Sequence, residues 1–320
     1  IMSNKKVSAQ KFLIFTFFFI FITNVSLYLD IPFLRQIFSF IFLTLLPGIL
    51  IMKILRLTKL NFLEKFILSW GISLSFVMLF GLFVNTLSLI LGYNTPLSIN
   101  FILWSFNIIL SALSIINYTM NKNDLFLIPD LNLKKLDWLI GIISLNLPLM
   151  SILGINLMES SGNNIILMLL FVSIPSYVFV IMLFRDKFPK KMYPLIIFSI
   201  SLSLLLLLSL RSNHIIGADI HLEYYIFFNT LISKQWSIIG TTTLDACISV
   251  SLLPVIYQKM MNINPEFLFK FLYVLLFSIS PLIVYLISNK YVKKEYAFLA
   301  AFFFMSQSSF LLAEINPRTN

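Results

Sequence analysis

The chain contains 320 residues, of which 59% are apolar and only 11% are charged. Soluble domains are about half apolar and about a quarter charged, so this composition excludes an ordinary soluble protein. The formal net charge of +10 does not indicate a nucleic-acid partner, because most of the 23 Lys and Arg residues lie between apolar runs. The single cysteine, Cys247, excludes an internal disulfide and a multi-cysteine metal site.

Long apolar runs predict the fold. Each run approaches the roughly 20 residues that a helix needs to cross the hydrocarbon core, and the runs do not alternate as barrel strands do. The first run is read as a span because it is longer than a typical signal-peptide core and no cleavage site follows it. The sequence predicts an all-α polytopic membrane protein in which residues 1–320 form a single transmembrane domain. Nine spans are expected, near residues 12–29, 37–55, 66–91, 99–118, 138–157, 165–184, 193–210, 266–288 and 296–313.

Basic residues in the connections predict the orientation. The N-terminal tail and the second, fourth, sixth and eighth connections together hold 17 of the 23 Lys and Arg residues. Cytoplasmic connections carry such an excess, so we expect a multi-pass protein of the cell membrane with a cytoplasmic N-terminus and an external C-terminus. Residues 244–261 are apolar, but a crossing there would move the basic eighth connection outside. We therefore expect an interfacial or re-entrant helix at 244–261.

One connection differs from the others in length. The external loop 211–265 has 55 residues, whereas packed helices are usually joined by about 2–8. It retains a helical pattern, so we expect interfacial helices within it. Long loops on a rigid scaffold often carry function, so we expect the functional site in this loop.

Two acidic residues open this loop. Gly217 can end the preceding helix, and Asp219 and Glu223 then lie four residues apart on one face of a new helix. Such a pair suits a general base or a divalent-cation site, and a divalent cation is the one cofactor we consider. The alternative is that Asp219 caps the helix and Glu223 is solvated. Both histidines of the chain, His214 and His221, are also in this loop; a ligand role is weighed against an interfacial polar role.

Several basic residues share the predicted external face. Glu314 and Arg318 follow the ninth span, and an arginine there suits phosphate binding; the alternative is an ordinary charge pair beside the membrane. Arg211, Lys234 and Lys270 suit contact with anionic lipid head groups.

The loop resembles the glycosyltransferase C superfamily. The resemblance lies in GADIHLEYY, followed by LDACISVSLLPVIYQKMMNINPEFLFKFLY and KEYAFLAAFFFMSQSSFLLAEINPR, an acidic motif after a span that leads through interfacial helices back to a span. The stretch FLRQIFSFIFLTLLPGILIMKIL resembles the start of a group of uncharacterised archaeal membrane proteins of that type.

The resemblance implies an inverting glycosyltransferase whose donor is a sugar linked to a polyprenyl phosphate. It implies that Asp219 is the base, that Glu223 assists it or helps to hold a cation, and that Arg318 and Arg211 bind the lipid phosphate. The wider set assigned to substrate or lipid-phosphate binding comprises Arg211, His221, Lys234, Glu314 and Arg318.

Two features depart from the family pattern. Seven spans precede the acidic loop, more than in many members, and members are longer, so we expect further helices beyond residue 320. The expected partners are membrane lipid and the donor, with no nucleic acid. The alternative function is a transporter or lipid flippase without transferase activity, and a non-catalytic membrane assembly protein is a third possibility.

Overall fold

A computed structural model describes residues 4–57, 60–122, 125–129, 133–212, 214–217, 219–237 and 244–312. Helices dominate these residues. In chain order the elements are β1 (Asn4–Ser8), α1 (Ala9–Tyr28), α2 (Leu34–Thr44), α3 (Leu46–Ile54), α4 (Phe62–Ile90), α5 (Ile99–Met120), β2 (Leu125–Pro129), α6 (Lys135–Ser161), α7 (Ile165–Leu183), a 3₁₀ turn (Lys190–Met192), α8 (Tyr193–Ser209), α9 (Asp219–Ser233), α10 (Ile248–Ser251), α11 (Leu253–Met261), α12 (Pro265–Phe277), α13 (Ser280–Ser288), α14 (Lys294–Met305) and α15 (Ser308–Leu312).

Eight of the helical segments are long and apolar enough to cross a membrane. They are α1, α2 with α3, α4, α5, α6, α7, the 3₁₀ turn with α8, and α12 with α13. Helices satisfy their own backbone hydrogen bonds, which is why they are the spanning element in lipid. The prediction of an all-α polytopic membrane protein is confirmed.

The region of the ninth predicted span contains two short helices. Its described residues carry α14 and α15, which have 12 and 5 residues and are separated at Ser306 and Gln307. Residue 313 lies outside the described part of the chain, so the ninth span stays a prediction. The break follows from the sequence Ser-Gln-Ser-Ser, whose side chains compete for backbone hydrogen bonds.

One feature of the structure has no counterpart in the predicted helices. Strands β1 and β2 form a two-stranded antiparallel ribbon, with Asn4 opposite Pro129 and Ser8 opposite Leu125. β1 leads directly into α1, and β2 follows α5. The ribbon therefore extends from the ends of two spans.

The chain divides into two compact units. Unit 1 comprises residues 1–132 and 222–268, and unit 2 comprises residues 133–221 and 269–320. Each unit has its own core of apolar side chains. The long loop contributes to both units, because its first part belongs to unit 2 and its remainder to unit 1.

In unit 1, the second span is broken at Leu45, where α2 ends and α3 begins. Pro47 has no N–H to donate, and the Gly48 N–H donates instead to Ser73 Oγ of α4 at 2.8 Å. α3 lies so close to α4 that a Cβ on Gly48 would lie 2.0 Å from the Ser69 carbonyl oxygen. The Pro47-Gly48 pair therefore both breaks the span and permits the close packing of α3 on α4.

Arg35 fixes α11 within unit 1. Its Nε donates to the Met260 carbonyl and its second terminal nitrogen to the Lys259 carbonyl, both at 2.9 Å. Its remaining nitrogen forms an ion pair with Asp30 at 2.7 Å. Ser39 donates to the same Met260 carbonyl at 3.1 Å. A buried cation at a helix C-terminus satisfies carbonyls that the helix leaves without donors and opposes its dipole.

Unit 2 is built around α6 and α8. Buried serines line their contact, and Ser151 of α6 donates to the Ser203 carbonyl of α8 at 2.8 Å. Small polar side chains allow close approach between membrane helices and hydrogen-bond across them. At one end of α6, Asp137 forms an ion pair with Lys191 at 2.6 Å.

The replacement Gly48→Ala should destabilise unit 1, because the new methyl group would overlap the backbone of Ser69. Overpacking of this kind costs about 1–3 kcal/mol. The measurement is the melting temperature of the purified protein in detergent. Gly71→Ala in α4 is the matched control, since a Cβ there meets no atom within 4 Å. Equal melting temperatures for the two variants would contradict the close α3–α4 contact.

The replacement Arg35→Met should also destabilise unit 1, since it leaves the carbonyls of Lys259 and Met260 without their donors. The expected loss is about 2–4 kcal/mol, measured by thermal unfolding.

Asp30→Asn distinguishes this carbonyl capping from the ion pair. Asp30 is exposed, so its replacement should change the melting temperature little. The Arg35 guanidinium holds the pKa of Asp30 below its usual range. The stabilisation that the ion pair gives to the folded protein is therefore fully present above the ordinary carboxyl pKa. It is lost as the pH falls through the lower pKa that Asp30 has in the folded protein. A loss in Asp30→Asn as large as that in Arg35→Met would show that the ion pair dominates.

Candidate functional site

The candidate site of unit 2 lies where α8 ends. Residue 210 follows its last helical residue, and residues 210–212 and 214–217 form no helix or strand. Gly217 has a φ of +139°, which strongly favours glycine. Ser209 Oγ donates to the Lys270 carbonyl of α12 at 2.8 Å. The Lys270 ammonium in turn donates to the Ser212 carbonyl. These two hydrogen bonds attach the end of α8 to α12.

A small open cavity occupies this place. Three of its lining residues carry basic side chains: Arg211, His214 and Lys270. The rest of the wall is mainly apolar, with two serines and a tyrosine: Leu208, Ser209, Ser212, Ile215, Ile216, Ile220, Phe269 and Tyr273. A cavity that combines apolar walls with a few converging polar groups is typical of a ligand site.

Lys270 is the most unusual member of this wall. It belongs to the span formed by α12 and α13, yet only 9% of its surface is exposed. A cation within a membrane segment is costly, and such residues usually mark a functional site or a structural partner. Here the ammonium donates to the Ser212 carbonyl, and Lys270 and Arg211 both line the cavity. Basic residues in a cavity wall favour an anion over a cation.

Helix α9 begins beside this cavity. Asp219 is its first residue, as the sequence predicts for a helix that starts after Gly217, and the next residue, Ile220, lines the cavity. The N–H groups and the dipole of a helix N-terminus favour negative charge nearby. The side chain of Asp219 lies outside the described part of the chain. Its backbone position is what relates it to the cavity.

Glu223 lies one helical turn after Asp219 in α9. Its side chain is completely buried, within unit 1. This excludes the solvated Glu223 of the capping alternative. A buried carboxylate needs internal partners, so its position in the fold is specific.

The remaining residues of α9 have separate environments. His221 is exposed. Lys234 follows the last residue of α9, so the length of this helix, about 22 Å, separates it from Asp219. Lys234 belongs to unit 1, where its charge adds to the effect of burial in lowering the pKa of the Lys259 ammonium.

The two charged residues of the C-terminal segment, Glu314 and Arg318, lie outside the described residues, so their predicted role stays a prediction. The same holds for cation binding by Asp219 with Glu223. Among the residues that the structure describes, His, Cys, Asp and Glu form no group of three or more that could hold a metal ion. The described side chains therefore give a divalent cation no built site.

Sequence reasoning named Arg211 for lipid-phosphate binding and Lys270 only as a lysine suited to head groups. The structure brings these two residues to one cavity wall. The sequence signal for Lys270 is a single lysine within an apolar run, PEFLFKFLYVLLF. Its hydrogen bond to Ser212, which lies 58 residues away in the chain, has no sequence signature.

No protein-family model, curated protein or solved structure matches this chain. The functional assignment therefore depends on the residues of the cavity and on the resemblance described above.

The replacement Lys270→Met should release the segment 212–216, because the Ser212 carbonyl loses its donor. We expect amide hydrogen exchange in this segment to accelerate by on the order of tenfold. Hydrogen–deuterium exchange with mass spectrometry measures this. Lys290→Met is the matched control, since Lys290 is an exposed lysine after α13. Unchanged exchange at 212–216 in Lys270→Met would contradict the role of this hydrogen bond.

Proposed function

We propose that the protein is a membrane glycosyltransferase that takes its sugar from a polyprenyl-phosphate-linked donor. The observation that carries this proposal is the cavity with Arg211 and Lys270 in its wall, beside the start of the helix that carries Asp219. The proposal also rests on the resemblance of the acidic loop to the glycosyltransferase C superfamily.

The chemistry of the donor fits the lining of the cavity. A polyprenyl phosphate has a charged phosphate next to an apolar chain. Arg211 and Lys270 supply positive charge, and Ile215, Ile216 and Phe269 supply an apolar wall. A planar guanidinium can bind two phosphate oxygens at once, while an ammonium acts as a point charge. The phosphate would therefore bind at the basic side of the cavity with the prenyl chain along the apolar side.

In the proposed reaction, Asp219 removes the proton from an acceptor hydroxyl. The hydroxyl oxygen forms a bond to the anomeric carbon from the side opposite to the phosphate. The bond from the anomeric carbon to the phosphate oxygen breaks, and the configuration inverts. The electron pair leaves on the lipid phosphate, whose extra negative charge is stabilised by Arg211 and Lys270. A positioned general base contributes about 10²–10⁴-fold to such a step.

The excess of Lys and Arg in the N-terminal tail and alternate connections supports a cytoplasmic N-terminus. With seven spans before the acidic loop, the cavity then faces the external side of the cell membrane. Sugar donors carried on membrane lipids are suited to that side, because the lipid keeps them in the membrane after they cross it.

A transporter or lipid flippase is the second candidate. The observation that favours it is the break of the second span at Leu45, near the middle of Leu34–Ile54. Broken spans often form binding sites in secondary transporters.

The replacement Asp219→Asn tests the transferase. In proteoliposomes that contain a polyprenyl-phosphate sugar and an acceptor, sugar transfer should fall by about 100-fold or more, while binding of polyprenyl phosphate stays unchanged. Arg211→Gln should weaken that binding. The controls are Asp186→Asn and Arg185→Gln, which alter exposed residues of the connection between α7 and α8.

Full transfer by Asp219→Asn would refute the proposed base. Movement of the lipid between leaflets, with no sugar transfer by the unaltered protein, would instead support the flippase.

A further inference from the structure

A second charged region lies in unit 1, at the end where α1 and α4 begin and where α3 and α5 end. Side-chain contacts connect these ends. The Arg56 guanidinium donates to the Met120 carbonyl at 2.8 Å, and the Asn121 amide donates to the Lys53 carbonyl at 3.1 Å. The Lys53 ammonium lies 3.0 Å from the centre of the Phe12 ring, a cation–π contact. We call Lys53, Arg56, Lys65 and Lys122 the basic end.

The basic end has an excess of positive charge. Residues 1–11, 53–65 and 120–132, which include this end, contain eight basic and three acidic residues. One of the acids, Glu64, accepts a hydrogen bond from the Asn61 N–H at 2.8 Å and so caps α4. Within the described part of the chain, no ion pair involves Arg56, Lys65 or Lys122. Lys65 also lies close enough to Lys53 for the two charges to repel each other.

The basic end also lies at a defined depth. Its residues are at the ends of three spans, α2 with α3, α4 and α5. The ends of spans lie at the level of the lipid head groups, where lipid phosphates are the most abundant anions. Each Lys or Arg close to an anionic membrane surface adds to the attraction, and salt screens this attraction.

We propose that the basic end binds the phosphate head group of an anionic phospholipid. Arg56, Lys65 and Lys122 contact the head group, and Lys53 lies at the same end over the Phe12 ring. This site is in unit 1 and is separate from the cavity of unit 2. It does not depend on the proposed transferase activity.

Native mass spectrometry of the detergent-purified protein tests this site. The probes are phosphatidylglycerol and phosphatidylcholine with the same acyl chains, added at equal concentration. The unaltered protein should retain phosphatidylglycerol in preference to phosphatidylcholine. The triple variant Arg56→Gln, Lys65→Gln, Lys122→Gln should lose this preference by about tenfold or more, and added salt should weaken it in the unaltered protein.

The matched control is Arg185→Gln, Lys187→Gln, Lys290→Gln, which removes three exposed basic residues from connections of unit 2. It should keep the preference. An equal loss in both triple variants would overturn the proposal, because it would show a general effect of net charge. An unchanged preference in the first variant would overturn it as well.

Melting temperatures of both triple variants show whether they are folded. If the first one fails to fold, Lys122→Gln replaces it, because Lys122 is exposed and makes no side-chain hydrogen bond within the described residues. This single change should lower the preference about threefold. Retention of the full preference would again overturn the proposal.

Discussion

In lipid, every backbone N–H and C=O group needs a hydrogen-bond partner inside the protein. This requirement is hardest to meet in the long segment between α8 and α12, because backbone outside helices does not satisfy its own groups. Its described residues outside helices include 210–212, 214–217, 234–237, 244–247 and 262–264. Side chains of the spans supply its partners. Arg35 donates to the last carbonyls of α11. The Asn85 side-chain amide donates to the Trp236 carbonyl and accepts from the Trp236 N–H, and both distances are 2.8 Å. Lys270 donates to the Ser212 carbonyl. Each of these three polar residues belongs to an apolar helix and is buried. The protein tolerates buried polar residues because they satisfy irregular backbone that apolar side chains cannot satisfy.

The same requirement explains the character of the cavity in unit 2. Lys270 donates to the Ser212 carbonyl and lines the same cavity as Arg211. Two cations in one partly apolar wall attract an anion with an apolar tail more strongly than either cation would alone. In the proposed function, the same side chain that satisfies the Ser212 carbonyl would also bind the donor phosphate. Helix α9 begins at Asp219, next to Ile220 of the cavity wall, so the dipole of this helix N-terminus also favours an anion there.

Fold class was predictable because lipid permits few solutions. A run of about 20 apolar residues has one low-energy structure in a membrane, so periodicity, length and loop charge are enough to place most spans. The ninth predicted span stays a prediction, because its end lies outside the described residues. Within them, the Ser-Gln-Ser-Ser sequence separates α14 from α15. The ribbon of β1 with β2 was missed, since each strand has only five residues and the two pair across more than a hundred residues of chain.

The sequence by itself determined that this is a polytopic helical membrane protein, where its first eight spans lie, and that a long loop opens with Asp219 and Glu223. These properties depend on local composition and on spacing within one helix, which the order of residues states directly. Only the tertiary structure decided that Glu223 is completely buried, that Lys270 joins Arg211 at one cavity and that Arg35 ends α11. The hydrogen bonds of Lys270 and Arg35 join residues that are 58 and 225 positions apart in the chain. The burial of Glu223 depends on which side of α9 faces the core. The packing of the helices decides which of these residues contact each other, and this packing depends on the folded chain as a whole.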